Sequence, residues 1–191
     1  MKTKLNLGCG TDIRGDCVNV DRHPLEGVEI VIDLSKVPYP FRDGQFEEVY
    51  MLSILEHLPN TIQVLEEVHR IAKRGALVFV HVPYWNSYIS IVDPTHINSF
   101  HEKTFNFFDP SKLECKTRPY YSTARFRVKK IDFYTPFLGV IIKWRKENGI
   151  NRVPEYLKVS NRALKGIVRL FAHYFCNVVQ TMDVYLEVLK P

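Results

Sequence analysis

No apolar run in this chain approaches the roughly 20 residues that a membrane-spanning helix needs; among the longest is Phe137-Leu-Gly-Val-Ile-Ile142. The opening Met-Lys-Thr-Lys-Leu-Asn has no signal-peptide core, so a cytoplasmic chain is expected. Cysteine is scarce and unpaired in pattern. Cys9, Cys17, Cys115 and Cys176 form no Cys-x-x-Cys step and no His/Cys metal spacing, which points to reduced, partly buried thiols. Repeats and low-complexity tracts are absent, which excludes solenoid, fibrous and disordered chains. Acidic residues thin out in the second half: residues 96–191 hold 17 Lys and Arg against 8 Asp and Glu, whereas residues 1–95 hold 9 against 13. Such a basic half suits an ordinary solvated surface or an anionic partner, whether nucleic acid, a membrane surface or a phosphorylated substrate.

What is present reads as globular. With 46% hydrophobic and 25% charged residues, a chain of 191 suffices for one domain with a real core. Lys4–Leu7 alternates into Gly8 as a first strand, Cys17–Asp21 is a second, and Val28–Ile32 a third ending at Asp33. Phe46–Leu52 is a fourth. Asn60 then suits a helix N-cap with Gln63 at the reciprocal position, apolar residues from Leu65 to Ala72 recur at helical spacing, and Gly75 suits the stop. Ala76–Val82 reads as a nearly continuous apolar strand of the kind buried on both faces of a parallel sheet. Past Pro83 come loops, a short helix over Thr104–Phe108 closing at Asp109, a strand over Ala124–Tyr134, an insertion and a last strand over Met182–Leu189. Strands alternating with crossovers argue for a doubly wound α/β domain, whose ligands sit at the strands' carboxyl ends.

The turn Gly8-Cys-Gly10-Thr-Asp-Ile13 fits two familiar uses badly. A dinucleotide fingerprint needs a third glycine and a more distant acidic residue, and a P-loop needs Gly-Lys-Ser/Thr. A third use remains: glycine lets the backbone press against a ligand, and a carboxylate at the tip of the next strand accepts from a ribose diol.

The blocks Leu5-Asn-Leu-Gly-Cys-Gly10, Val18-Asn-Val-Asp21, Ile32-Asp33-Leu34, Pro40–Phe46, Val49–Leu58 and Leu65–Gly75 occur in an order and spacing similar to class I S-adenosylmethionine-dependent methyltransferases, particularly the small type 11-like group. The resemblance spans about residues 4 to 110. It implies an α/β fold with a Rossmann-like, seven-stranded, mostly parallel sheet, an antiparallel C-terminal strand and a helical insertion between the last two strands. Residues 1–191 are then a single methyltransferase domain, with 84–123 a substrate-side loop and short helix and 135–177 a basic helical insertion. S-adenosyl-L-methionine is the implied cofactor. Gly8 and Gly10 line its methionine part, Asp21 holds the ribose, Asp33 and Leu34 contact adenine, and Leu7, Cys9, Arg22 and Ser53 complete the set. The connection Thr11–Cys17 is too short for the helix that usually follows the glycine turn in this fold.

At the acceptor end, His57 follows the fourth strand, where this family places residues near the transferred methyl, and His96 lies in an Asp-Pro-x-His segment; both are expected to be catalytic. A base, where one is needed, should titrate near neutral pH. Tyr84, Trp85, Tyr88 and His101 are the expected substrate-binding residues. His81, inside a strand, reads as a satisfied sheet histidine. Some small-RNA 2′-O-methyltransferases carry Glu-x-x-Glu-His with a further His and bind a divalent ion; here Ser53 stands where the first carboxylate would be, and no metal is expected. Lys158, Arg162, Lys165 and Arg169 read as one basic stripe of an amphipathic helix, beside an apolar one through Leu157, Leu164, Val168 and Phe171. The acceptor expected is an oxygen or nitrogen of a small molecule or glycan precursor. RNA as acceptor and a catalytically inactive binding protein are the alternatives, and peripheral membrane contact through the basic helix stays open.

Overall fold

The computed structural model describes residues 2–136 and 156–190. One eight-stranded sheet is built from β1 (Lys4–Leu7), β2 (Cys17–Asp21), β3 (Ile30–Val31), β4 (Phe46–Leu52), β5 (Ala72–Pro83), β6 (Phe126–Thr135), β7 (Leu157–Val159) and β8 (Thr181–Val188). Its spatial order is β3-β2-β1-β4-β5-β8-β6-β7. Pairing is parallel from β3 through β5, and β8 runs antiparallel between β5 and β6. The difference from the seven-stranded expectation is β7, which pairs antiparallel with Phe133–Thr135 inside the stretch read as purely helical. The run Phe137–Ile142 and the rest of 137–155 lie outside the described residues.

Between β1 and β2 the chain has no helix, and two asparagines close the connection instead. Asn6 and Asn19, each 1% exposed, face each other in register. Asn19 accepts from the Arg14 N–H at 3.0 Å and donates to the Arg14 carbonyl at 2.9 Å, while Asn6 donates to the Asp12 carbonyl at 2.8 Å. Buried backbone groups need partners, and here side-chain amides supply them.

The sheet's two faces differ in burial. Ala76, Val78, Val80 and Val82 are buried, but Leu77, Phe79 and His81 are only half-buried, so β5 alternates and the expectation of burial on both faces fails. Across the half-open face runs an aromatic row, Tyr50, Phe79 and Tyr185, with ring centroids 6.1 and 5.0 Å apart. Arg14 lies over Tyr50 at 4.5 Å and Lys130 over Tyr185 at 5.4 Å, a cation at each end. The next row holds Asp183 and Asp132, opposite each other on β8 and β6. Their like charges are offset by Lys158, 3.0 and 3.3 Å away, by Lys130 at 2.7 Å and by the His81 ring.

The other face carries the core and the helices. α1 (Thr61–Ile71) starts at Asn60, whose side chain accepts from the Gln63 N–H, and buries Val64, Leu65, Val68 and Ile71. It stops four residues before Gly75, because Ala72 already turns extended and enters β5; Gly75, at φ +76°, lies within that strand where the β4 register shifts. After β5 come α2 (Tyr88–Val92), a 3-10 segment over Glu102–Phe108 and α3 (Leu113–Thr117). α4 (Arg162–Tyr174) is capped by Asn161. The predicted basic stripe is corrected at its first member, since Lys158 belongs to β7. Its other members are partly spent within the fold: Lys165 donates to the Ile131 carbonyl, and Arg169 pairs with Glu102 at 2.9 Å and lies over Phe133.

Gly8 is held at φ +67°, and a Cβ there would stand 2.3 Å from Ile54 Cγ1; Gly10, at φ +48°, has nothing within 4 Å. Replacing Gly8 by Ala should cost about 2–3 kcal/mol, strain plus overpacking, and Gly10→Ala about 1 kcal/mol. Truncating Ile54 to Ala should recover part of the Gly8→Ala loss in urea melts. Asn19→Ala, which removes the partner of the half-buried Arg14 N–H and carbonyl and one of the two bonds of the Asn6 amide, should cost about 2 kcal/mol by the same measurement.

Candidate functional site

The carboxyl ends of β1, β2, β3 and β4 gather the residues singled out in the sequence. Asp21, at the tip of β2, is 8% exposed. Its Oδ2 accepts from the Gly10 N–H and its Oδ1 from the His23 N–H, both at 2.9 Å. Each oxygen keeps a second lone pair, and the open space beside Gly10 adjoins it. Asp33 accepts from the Ser35 hydroxyl and N–H, which hold its carboxyl below the ordinary range, with Lys36 at 3.4 Å. Leu34 is buried and its carbonyl accepts from Tyr39. Leu7 and Cys9 are buried, whereas Arg22 is exposed. Ser53 is exposed at φ +49°, its N–H donating to the His81 carbonyl.

Gly8 has a packing role as well. The space its missing side chain leaves is filled by Ile54, so this glycine serves packing between β1 and the segment after β4. At Gly10, by contrast, the space a side chain would fill is open.

Past Ser53 the chain forms a 3-10 turn, Leu55–His57, that carries a second cluster. Glu56 is 1% exposed and neither carboxylate oxygen has a hydrogen-bond partner. Burial raises its pKa, against the opposing pull of His57 and His96. The His96 Nε2 stands 4.0 Å from Glu56 Oε1, and the two imidazole rings lie 4.7 Å apart. The loop carrying His96 is fixed to the turn, because the Glu56 carbonyl accepts from the N–H groups of Ile97 and Asn98. Sequence reasoning missed Glu56 as a site residue; its signal was its place in Glu-His directly after a strand.

The remaining expectations divide. Tyr84 is corrected: it is 2% exposed and its hydroxyl donates to Glu102, so it is a core residue and no pocket wall. His101 accepts from the Lys103 N–H as the cap of the 3-10 segment. Trp85 and Tyr88 are exposed at 42% and 64%. His81 donates through Nδ1 to Asp183 at 2.7 Å, the satisfied sheet histidine anticipated. On the helical side, a cavity of about 260 Å³ is lined by Ile62, Phe100, Phe107 and Tyr121. No helix among the described residues is long and apolar enough to cross a membrane.

Comparison with known proteins starts from this geometry. Residues 5–80 match a family profile described as a methyltransferase domain. No curated protein matches the sequence. Among solved structures, a SAM-dependent methyltransferase from Archaeoglobus fulgidus is similar, with TM-score 0.58 and 18% identity over 96% of this chain and 85% of that one. Phosphoethanolamine N-methyltransferase 2 of Haemonchus contortus, in complex with phosphomonomethylethanolamine and S-adenosylhomocysteine, aligns with TM-score 0.53 and 16% identity over 100% of this chain and 50% of that one. At such identities the structures speak for the fold, and the profile match for residues 5–80 alone. Over residues 5–80, from β1 through most of β5, the chain is similar to the methyltransferase-domain family, and over nearly its whole length it shares the fold of SAM-dependent methyltransferases.

Proposed function

We propose that the protein transfers a methyl group to an oxygen or nitrogen of a small molecule or glycan precursor, with the cofactor lying across the β1 and β2 tips and the acceptor arriving at Glu56, His57 and His96. The observation that carries this is the pairing of two groups on one rim. A buried carboxylate with lone pairs to spare, Asp21, adjoins the open space at Gly10, and a polar cluster stands at the β4 tip a few residues from Ile54, which itself touches Gly8.

S-adenosylmethionine, when bound, supplies a sulfonium methyl open to in-line displacement. The chain's own residues do the positioning. Asp21 accepts from the ribose hydroxyls, Asp33 and the Leu34 backbone hold the adenine edge, and Ser53 lies between the two ends. Alignment and exclusion of water are the main contributions such a reaction needs from a protein. Trp85 and Tyr88 offer exposed aromatic surface to the acceptor. The small-molecule reading gains support from the use of Lys158, Lys165 and Arg169 in internal pairs, which leaves fewer cations for an RNA backbone. An RNA acceptor would instead give steeply salt-dependent binding, and a catalytically inactive binding protein would release no S-adenosylhomocysteine with any acceptor.

Asp21→Asn keeps an acceptor for one backbone N–H while removing the charge. It should weaken S-adenosylmethionine binding about 100-fold in calorimetry, on the scale of two charge-assisted bonds; unchanged affinity in the folded variant removes the ribose role. His57→Ala and His96→Ala should each lower turnover on the order of 100-fold through a misplaced acceptor, with cofactor affinity unchanged. Full turnover in either variant dismisses that histidine.

A further inference from the structure

Three side chains able to ligate an ion meet at the β4 tip. One ligand atom from each of Glu56, His57 and His96 lies within 4.8 Å of the other two. The tautomers follow from the neighbours. His96 Nδ1 is 3.3 Å from the Ser90 carbonyl, which can only accept, so that nitrogen carries the proton and Nε2 presents a lone pair toward Glu56. His57 Nδ1 faces the Thr95 carbonyl at 3.3 Å and its hydroxyl at 2.9 Å, and that hydroxyl donates to Asp93 Oδ1 at 2.6 Å. The hydroxyl's proton is therefore engaged elsewhere, and His57 Nδ1 is again the donor, leaving Nε2 free.

Glu56 completes the set with a carboxylate that is buried and unpartnered. A buried carboxylate without a hydrogen bond is costly, and two imidazole lone pairs beside it add repulsion. The 4.0 Å between His96 Nε2 and Glu56 Oε1 is too long for a hydrogen bond. Tetrahedral ligands each roughly 2.0–2.2 Å from zinc stand about 3.3–3.6 Å apart, so an ion would draw this pair together by about half an ångström. Secured Nδ1 atoms are also how metal-binding histidines are oriented.

We propose that Glu56, His57 and His96 bind one divalent ion of the zinc class, leaving an open coordination position toward the acceptor. Two imidazoles and one carboxylate favour a borderline transition ion over magnesium or calcium, which prefer all-oxygen sites. Asp93 Oδ2, 3.9 Å from His96 Nε2, stands at the outer side of the cluster. The catalytic use of the ion rests on the methyl-transfer reading above. A hydroxyl of the acceptor binds the open position and gives its proton to solvent; its oxygen then forms the new C–O bond as the methyl C–S bond breaks and its electron pair stays on sulfur.

The test uses the full chain stripped with a chelator. Cobalt titration followed by visible absorption, with zinc displacement by calorimetry, should give one ion per chain with micromolar or tighter affinity. Glu56→Gln and His96→Ala should each weaken it on the order of 100-fold, at least the loss that removing a supporting partner of a ligand causes. Circular dichroism and S-adenosylmethionine affinity serve as checks that both variants fold. No binding at 100-fold molar excess, or binding that both folded variants retain, overturns the proposal. Calorimetry of the cofactor on the same metal-free protein keeps the two readings apart: cofactor binding without metal binding sinks the ion alone, and metal binding without cofactor binding sinks the methyl-transfer reading.

Discussion

The short connection between β1 and β2 governs much of this structure. With no room for a helix between Gly8 and Cys17, the chain must satisfy its backbone locally, and Asn6 and Asn19 do so from adjacent strands. A parallel sheet of this class normally has helices on both faces. Here the described residues place α1 and α4 on the side of Val80 and Phe133, and the opposite face carries half-buried aromatic rings, cations and the buried pair Asp132 and Asp183. The asparagine pair is the direct consequence of that short connection.

The sequence made the order of elements legible because the strands end in distinctive residues: Gly8, Asp21, Asp33 and Ser53 each mark a carboxyl end. It was less informative where two structures share one pattern. Ala76–Val82 is nearly all apolar, so periodicity could not separate a strand buried on both faces from one whose outer positions, Leu77 and Phe79, are only half covered. Lys158 fell into helical register with Arg162, Lys165 and Arg169 by spacing alone, yet pairing with Tyr134 places it in a strand. Gly75 suited a helix stop, but the turn out of α1 came earlier, at Ala72, where the chain enters β5.

Within the site, the rim was legible and the packing was not. That glycine permits close approach is visible in a sequence; what approaches is not. At Gly8 the neighbour is Ile54, two residues before Glu56, so the glycine turn and the segment after β4 are in direct contact. In the proposed reading this contact links the cofactor end of the rim to the acceptor end, because Ile54 directly precedes the 3-10 turn that carries Glu56 and His57. Ser53, in a left-handed conformation seldom adopted by side chains other than glycine and asparagine, makes the bend that brings Ile54 over Gly8.

The metal reading shows why motif and geometry part company. Matching against a four-ligand pattern counts a missing carboxylate at Ser53 as a loss, and for a hard, all-oxygen site it is one. Geometry poses a different question: whether the atoms left over are satisfied. Thr95 and the Ser90 carbonyl occupy one nitrogen of each imidazole, and neither Glu56 oxygen has a hydrogen-bond partner, so a buried carboxylate stands beside two imidazoles without a counterpart. A proton could fill that role for one group at a time. An ion with borderline preference fills it for all three at once, and the same ion would give the acceptor a fixed point opposite the sulfonium methyl, which is the alignment that this chemistry most needs.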